Sequence, residues 1–310
     1  MAHASAKALC DPANFSLSFE FFPPKSSEGM EKLKAVALSL QAFSPDFCSV
    51  TFGAGGSTQS GTLETIKMLI AQGMSVMPHL SCVGMASDEI QALLNQYIEL
   101  NISKILALRG DLPSGVGAWG DFRYACELVE FIRQTHGQQF EIAVAAYPET
   151  HPNSQNYQTD FDFFVHKVNK GADFAITQYF FNPNAFAFFV EDCQRKGLKT
   201  PIIPGILPIT NFKQMLLFSE RCGADVPLWL RRRLMCYEHD EASLKAFGID
   251  VIVELTEQLL MLGATGIHFY TMNQSHAVSE IIRQSPSLSR LISGLSHGEN
   301  QSQTNTDLTI

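Results

Sequence analysis

The chain has 310 residues, of which 45% are hydrophobic and 17% are charged, so it can bury a large core and is not a wholly disordered protein. Its net charge of -9, with only one short basic run, excludes the usual binders of nucleic acid and of anionic membrane surfaces. That run, Arg231–Arg233, is predicted to be a solvated helix face. No apolar stretch is long enough to span a bilayer, residues 1–10 lack a signal-peptide core, and the seven cysteines include no Cys-x-x-Cys pair. We therefore expect a cytoplasmic protein with reduced thiols.

Short runs of β-branched and aromatic residues alternate with longer amphipathic stretches along the chain. Eight runs are predicted to be strands: Leu17–Phe21, Phe47–Thr51, Ser75–Leu80, Lys104–Leu108, Glu141–Ala146, Phe174–Gln178, Ile202–Ile206 and Gly266–Tyr270. Eight stretches are predicted to be helices: Gly29–Phe43, Thr58–Gln72, Ser87–Asn101, Phe122–Thr135, Asp160–Asn169, Asn184–Arg195, Asn211–Cys222 and Ser243–Leu262. This alternation predicts an α/β protein with a parallel sheet, and a count of eight favours closure into a single (β/α)8 TIM barrel.

The barrel is predicted to occupy residues 15–293, after a flexible arm at residues 1–14 and before a disordered polar tail at residues 294–310. The motif Ser87-Asp88-Glu89-Ile90 is typical of a helix start, and Gly197 and Gly263 are placed as helix-ending glycines. An open dinucleotide-binding sheet is rejected, because the first strand–helix turn has no Gly-x-Gly-x-x-Gly motif and the glycines at 53–56 have the wrong spacing.

A TIM barrel carries its chemistry at the carboxyl ends of its strands. In this sequence functional side chains follow almost every predicted strand: Glu20, Thr51, His79, Arg109-Gly110-Asp111, Tyr147-Pro148-Glu149, His151, Gln178 and Tyr270-Thr271. Because closure brings these ends to one face, their convergence predicts an active site there.

Glu20 lies between aromatic residues, where an unpaired carboxylate is costly. One interpretation is a structural carboxylate bonded to a buried arginine; the other is an acid with a raised pKa that delivers a proton. Asp111 has a similar ambiguity. It can form a local ion pair with Arg109 at a turn, or it can face a substrate while Arg109 holds a phosphate.

His79 is either a satisfied core histidine or a site residue, and the nine histidines form no metal-ligand motif, so we expect no metal. Gln178 offers both donors and an acceptor to a heterocycle edge, although a hydrogen bond to neighbouring backbone is the simpler reading. The aromatic run Tyr179–Phe181 is either core or a stacking wall for a planar ring.

Six motifs, in order over residues 15–283, resemble the methylenetetrahydrofolate reductase family, in its short bacterial form. They are Phe19-Glu20-Phe21-Phe22-Pro23-Pro24, Ala107-Leu108-Arg109-Gly110-Asp111-Leu112-Pro113, Ala145-Ala146-Tyr147-Pro148-Glu149, Ala175-Ile176-Thr177-Gln178-Tyr179-Phe180-Phe181, Ile203-Pro204-Gly205-Ile206-Leu207-Pro208 and His268-Phe269-Tyr270-Thr271. The resemblance implies a homo-oligomeric enzyme with non-covalent FAD. NADH or NADPH, with NADH favoured, reduces the flavin, and methylenetetrahydrofolate is then reduced to 5-methyltetrahydrofolate in ping-pong order, for methionine synthesis.

The same resemblance assigns roles to individual residues. Glu20 matches the general acid, which protonates folate N10 and opens the ring to an iminium, and Asp111 matches the carboxylate that contacts the pterin and tunes the flavin. Gln178 and Phe218 match residues that bind substrate. The residues that match FAD contacts are Thr51, His79, Arg109, Gly110, Asp111, Tyr124, Ala145, Tyr147, His151, Asp160, His166 and Lys167.

The chain departs from the family pattern at three positions. Gln274 stands where an arginine is common, and Phe163 and His166 stand where Asn and Arg are common. Phe163 is therefore not assigned to the cofactor site. Two rival functions stay open: a pterin-dependent methyltransferase on the same fold, which needs no flavin, and a catalytically silent folate- or flavin-binding protein. The buried acid Glu20 argues against the silent binder.

Overall fold

The computed structural model describes residues 15–52, 59–110 and 120–303, with backbone only at residue 59 and residues 295–303. The strands within these ranges are β1 Ser16–Phe21, β2 Phe47–Val50, β3 Val76–Ser81, β4 Lys104–Leu108, β5 Glu141–Ala146, β6 Phe174–Thr177, β7 Ile202–Ile203, β8 Gly205–Ile206 and β9 Gly266–Tyr270. The helices are α1 Ser27–Gln41, α2 Gln59–Ala71, α3 Ser87–Glu99, α4 Ala125–His136, α5 Tyr157–Asn169, α6 Pro183–Arg195, α7 Phe212–Cys222, α8 Leu228–Met235, α9 Glu241–Met261, α10 His276–Gln284 and α11 Pro286–Gln303.

All strand pairs are parallel, in the order β7-β6-β5-β4-β3-β2-β1-β9-β8. The predicted seventh strand is divided at Pro204, whose nitrogen has no hydrogen to donate. As a result β7 pairs with β6, whereas β8 pairs with β9. The two short strands together take the place of one barrel strand and join the two ends of the sheet. The sheet is therefore closed, and the predicted TIM barrel is confirmed.

The strands separate two apolar layers. Leu17, Phe19 and Phe21 belong to the large core between sheet and helices, whereas Phe47 and Met77 belong to a smaller cluster inside the barrel. Because side chains alternate along a strand, the residues between Leu17, Phe19 and Phe21 face the barrel interior. This alternation turns Ser18 and Glu20 inward.

The helices match the predicted stretches, with three additions, α8, α10 and α11. The run Arg231–Arg233 lies exposed on α8, as predicted. Gly197 and Gly263 end α6 and α9 with φ of +75° and +85°, which confirms their predicted role. Helix α3 begins at Ser87, where Glu89 accepts a hydrogen bond of 2.8 Å from the backbone of Ala86.

Of the two predicted terminal segments, the tail is described in part and the arm lies wholly outside the described ranges. Helix α11 continues through residues 294–303, which the sequence assigned to a polar tail. The predicted arm at residues 1–14 and the rest of the tail, residues 304–310, lie outside the described ranges. Among the described helices, no segment combines the length and hydropathy needed to cross a membrane.

Candidate active site

Two cavities open at the carboxyl ends of the strands, each of about 440 Å³. They share the walls formed by Leu108, Ala145 and Tyr147. The Glu20 cavity is lined by residues that include Glu20, His79, Gln178, Phe218, His268 and Tyr270. The Lys167 cavity is lined by residues that include Arg109, Gly110, Tyr124, His151, Asp160 and Lys167.

The Glu20 cavity contains a carboxylate that lies between two histidines. The parallel register of β1 and β9 aligns Ser18 with His268 and Glu20 with Tyr270. A hydrogen bond of 2.8 Å between Ser18 Oγ and His268 Nδ1 fixes the imidazole. Its Nε2 atom lies 3.8 Å from Glu20 Oε2, and His79 Nε2 lies 3.3 Å from the same oxygen.

The predicted raised pKa of Glu20 is wrong for this structure. Burial does raise the pKa of Glu20, but contacts and charge from His268 and His79 lower it by more, to about 2. Neither imidazole Nε2 atom has a hydrogen-bond partner within the described ranges. Among the residues that the structure describes, no arginine forms an ion pair with Glu20, so the alternative of a Glu–Arg pair is wrong there as well. The surroundings of Glu20 thus favour its charged form, with the two imidazole Nε2 atoms 3.3 and 3.8 Å from the carboxylate.

Gln178 makes the predicted hydrogen bond to neighbouring backbone and also lines the Glu20 cavity, while its binding role stays a prediction. Its Oε1 atom accepts a hydrogen bond of 3.0 Å from the backbone N–H of Tyr179, which is the simpler reading of this residue. In the described part of the chain no acceptor takes its NH₂ group, and the side chain lines the Glu20 cavity. The amide is thus fixed through its oxygen and presents its donors to a ligand.

The aromatic run Tyr179–Phe181 divides between wall and core. Tyr179 lines the Glu20 cavity, and its hydroxyl lies 3.1 Å from Ser219 Oγ on α7. Phe180 is buried and stacks on Phe186 with ring centroids 5.9 Å apart. Phe218, also on α7, contributes a further aromatic side chain to the cavity.

Lys167 supplies a partly buried cation to the second cavity. Its Nζ atom donates a hydrogen bond of 2.5 Å to the backbone oxygen of Ala145 and lies 5.7 Å from the ring centre of Phe164. Burial lowers the pKa of Lys167 to about 8, although the charges of Asp160 and Cys126 raise it. No carboxylate of the described ranges lies within ion-pair distance of Nζ. A partly buried cation without such a partner fits an anionic ligand.

Arg109 and Gly110 follow β4 at the edge of the same cavity. Arg109 Nε donates to the backbone oxygen of Gly110 at 3.2 Å. Gly110 has φ of +84°, and a Cβ atom there would lie 1.9 Å from Ser81 Oγ, so only glycine fits. Asp111, the next residue, lies outside the described ranges, so its catalytic and flavin-tuning roles stay predictions.

Asp160 organises the loop between β5 and α5. Its carboxylate accepts hydrogen bonds from the backbone of His151 at 2.7 Å and from Ser154 Oγ at 3.2 Å. His151 packs edge-on against Tyr147, with ring centroids 4.5 Å apart. These contacts hold both rings on the cavity wall.

A pair of exposed aromatic rings marks the outer end of the Lys167 cavity. Tyr124 and Phe163 are each about half exposed, and their rings lie 6.0 Å apart and nearly parallel, at 18°. Phe163, which the sequence did not assign to the site, therefore lines the cavity. Such a pair offers a flat apolar surface to a planar ring. Together with Arg109 and Lys167 it fits a long anionic ligand with aromatic rings, as FAD is.

Two predicted cofactor contacts lie elsewhere. Thr51 follows β2 beside residues 53–58, which are outside the described ranges, and His166 is exposed on α5. Neither is among the described residues that line the two cavities. All other predicted site residues of the described ranges lie on a cavity wall.

Sequence reasoning did not single out Ser18, His268, Arg221 or Cys222. The signal for His268 was present, because alternation along β9 places His268 and Tyr270 on one face. Arg221 and Cys222 follow Phe218 at helical spacing on α7, so they share its face.

A family model described as methylenetetrahydrofolate reductase matches residues 6–286. The NADH-dependent methylenetetrahydrofolate reductase 1 of Arabidopsis thaliana is 37% identical over 86% of this chain and 48% of its own length, so the chain spans about half the length of this plant relative. The 5,10-methylenetetrahydrofolate reductase of Escherichia coli K12 is 35% identical over 88% of this chain and 92% of its own. The enzyme of the same name from Pectobacterium carotovorum is 34% identical, with 89% and 92% covered.

Among solved structures, an uncharacterized protein from Clostridium thermocellum that binds two copies of 5-methyl-5,6,7,8-tetrahydrofolic acid superposes with a TM-score of 0.58. Its sequence is 16% identical, and the match covers 89% of this chain and 95% of that protein. A likeness at this level of identity reflects the shared fold.

Proposed function

Because the chain belongs to the methylenetetrahydrofolate reductase family, we propose that it reduces 5,10-methylenetetrahydrofolate to 5-methyltetrahydrofolate with NADH, through non-covalent FAD, in ping-pong order. The observation that carries this proposal is Glu20, ionised between His79 and His268 in a cavity that shares three wall residues with the cationic Lys167 cavity. This arrangement supports the proposal, because a group for proton transfer would then lie beside the cationic cavity that suits a long anionic cofactor.

The reaction needs one proton for each hydride. The bond between the methylene carbon and folate N10 breaks, N10 takes a proton, and the carbon takes the hydride. Glu20 delivers that proton, and the carboxylate is protonated again by solvent that enters the cavity between turnovers. Substrate entry covers Glu20 and removes its remaining water, which raises the pKa of Glu20 toward a value at which it carries a proton.

Arg109 and Lys167 would hold the phosphates of FAD, and the pair Tyr124–Phe163 would pack on one of its rings. FAD, when bound, would supply the hydride-transfer chemistry between NADH and the folate. Gln178 donates its amide hydrogens to whichever substrate is present, and Phe218 packs on the planar part of that substrate.

The testing experiment is a visible spectrum of the purified protein, taken anaerobically before and after NADH and again after methylenetetrahydrofolate. We expect flavin absorption that bleaches with NADH and returns with the folate, so that one cuvette reports both half-reactions. A colourless protein that takes up no added FAD would contradict the proposal and favour the pterin methyltransferase or the silent binder.

The variant Glu20→Gln separates the two half-reactions. It keeps the shape of the side chain but removes its acidity, so NADH bleaches the flavin at the parental rate while reoxidation by folate slows by about 100-fold or more. Glu191→Gln, an exposed site on α6, serves as the matched control. Reoxidation of the Glu20→Gln protein at the control rate would show that Glu20 is not the general acid.

A further inference from the structure

The wall of the Glu20 cavity includes a permanent cation, Arg221, which has no part in the proposed proton transfer. Arg221 lies in the last turn of α7 and is exposed. Among the described residues that line this cavity, it is the only Lys or Arg. Within the same ranges its guanidinium forms no ion pair or hydrogen bond. The N–H groups of its guanidinium are thus available to a ligand, at the edge of a pocket that also contains the Glu20 carboxylate.

The end of α7 is held rigidly against the cavity. Phe218, Arg221 and Cys222 share one helix face because they are three and four residues apart. Ser219 Oγ lies within hydrogen-bond distance of Tyr179 Oη, at 3.1 Å. Beyond the helix, Asp225 donates a backbone hydrogen bond of 2.8 Å to Glu149. The base of the arginine is therefore fixed, while its guanidinium remains available.

We propose that Arg221 binds the carboxylates of the glutamyl tail of the folate substrate, an inference that rests on the proposed function. A folate whose pterin reaches Glu20 and Gln178 extends its aminobenzoyl ring and glutamate toward the open end of the cavity. Phe218 offers an aromatic surface to that ring, and Arg221 follows one turn later on the same face. A planar guanidinium pairs with a carboxylate through two parallel hydrogen bonds. The folate substrate ends in carboxylates, so its glutamate can form both of these bonds with Arg221.

A cation in the last turn of a helix also interacts favourably with the helix dipole. That role explains a basic residue at position 221, but it requires no cavity and no ligand. The two roles separate experimentally, because the dipole contribution changes thermal stability and leaves substrate binding unchanged.

The experiment compares the parent protein with Arg221→Gln, Arg221→Lys and the control Arg232→Gln, an exposed arginine on α8 that lines neither cavity. Each FAD-loaded protein is reduced by NADH and then mixed, by stopped flow, with methylenetetrahydrofolate or with methylenetetrahydropteroate, which lacks the glutamate. For the folate we expect Arg221→Gln to raise the half-saturating concentration by roughly 5- to 20-fold with the limiting rate unchanged. Arg221→Lys should lie in between.

With the pteroate substrate all four proteins should behave alike, and the rate of flavin reduction by NADH should not change. Equal half-saturating concentrations for the Arg221→Gln and Arg232→Gln proteins would overturn the proposal. So would equal weakening of folate and pteroate, or an effect confined to NADH. A parent protein whose reduced flavin does not react with folate at all would overturn the proposed function itself, before any variant is compared.

Discussion

Replacement of Lys167 by methionine should stabilise the protein without its cofactor and weaken cofactor binding. Burial lowers the pKa of Lys167 from its ordinary value of 10.5 to about 8, so keeping the lysine charged at neutral pH opposes folding. The penalty is fully present below pH 8 and disappears as the pH rises toward 10.5, the value of the unfolded chain. An anionic phosphate in the Lys167 cavity would restore the lost stabilisation of the charge.

The size of both effects follows from the same pKa difference. The interval from 10.5 to about 8 corresponds to about 3 kcal/mol at 25 °C. We therefore expect the apoprotein of Lys167→Met to be more stable than the parent by about 2 to 3 kcal/mol at pH 7, and to lose FAD affinity by about 100-fold. In the parent, FAD affinity should be constant below pH 8 and should fall about tenfold per pH unit above it.

Two measurements check this prediction. Urea unfolding of the apoprotein at pH 7 gives the free energy of unfolding, and quenching of flavin fluorescence gives the FAD dissociation constant between pH 6.5 and 9.5. Lys170→Met, at the C-cap of the same helix and paired at 2.8 Å with Glu130, is the control. A Lys167→Met protein that is less stable than the parent would show that the charge of Lys167 does not oppose folding. An FAD affinity that keeps the parental pH dependence would show that this charge does not bind the cofactor.

Three further predictions concern the neighbouring loops. Gly110→Ala should lose flavin and about 1 to 3 kcal/mol of stability, because its φ is +84° and its Cβ would meet Ser81 Oγ; flavin content and urea unfolding test this, and a parental flavin content would contradict it. Asp111→Asn should raise the flavin reduction potential by removing a nearby negative charge, and an unchanged or lower potential in spectroelectrochemistry would disprove it. Burial raises the pKa of Glu149 to about 7, although the Asp225 N–H lowers it, so its charge destabilises the fold as the pH rises from about 4.5 through 7. Glu149→Gln should therefore be more stable than the parent at pH 8, by up to about 3 kcal/mol, and equal to it at pH 4; the same gain at both values would refute this.

The barrel was predictable because its strands are short runs of β-branched and aromatic residues, whereas most of its helices are longer amphipathic stretches. All eight predicted strand runs overlap observed strands, and the division of the seventh at Pro204 concerns pairing rather than position. Helix α8 was predicted only as the solvated helix face of Arg231–Arg233, without bounds, since its eight residues include three consecutive arginines and show little periodicity. Helices α10 and α11 meet at Ser285-Pro286, where a proline interrupts the pattern.

The site was predictable to the extent that it follows strand ends. Glu20, Gln178 and Lys167 lie on cavity walls because the barrel brings strand ends and the helices after them together. The pKa of Glu20 was not predictable, since it depends on His268, which is 248 positions away and adjacent only through the pairing of β1 with β9. Local sequence shows the aromatic neighbours of a carboxylate but not the imidazoles that another strand supplies.

The joint at which the barrel closes is also a wall of the Glu20 cavity. Between β6 and β8, the Thr177 hydroxyl accepts a hydrogen bond of 2.9 Å from Gly205 N–H, while the Thr177 carbonyl accepts one of 2.8 Å from the hydroxyl of Tyr270. A Cβ atom at Gly205 would lie 2.3 Å from that carbonyl and 2.6 Å from the Tyr270 ring. Side-chain hydrogen bonds therefore join β6 to β8 and β9 where backbone pairing between strands is interrupted. One of these side chains, Tyr270, also lines the Glu20 cavity. A ligand that displaces Tyr270 would strain the hydrogen bonds that close the barrel. Local opening of the barrel at this point and exchange of ligand therefore depend on the same few hydrogen bonds.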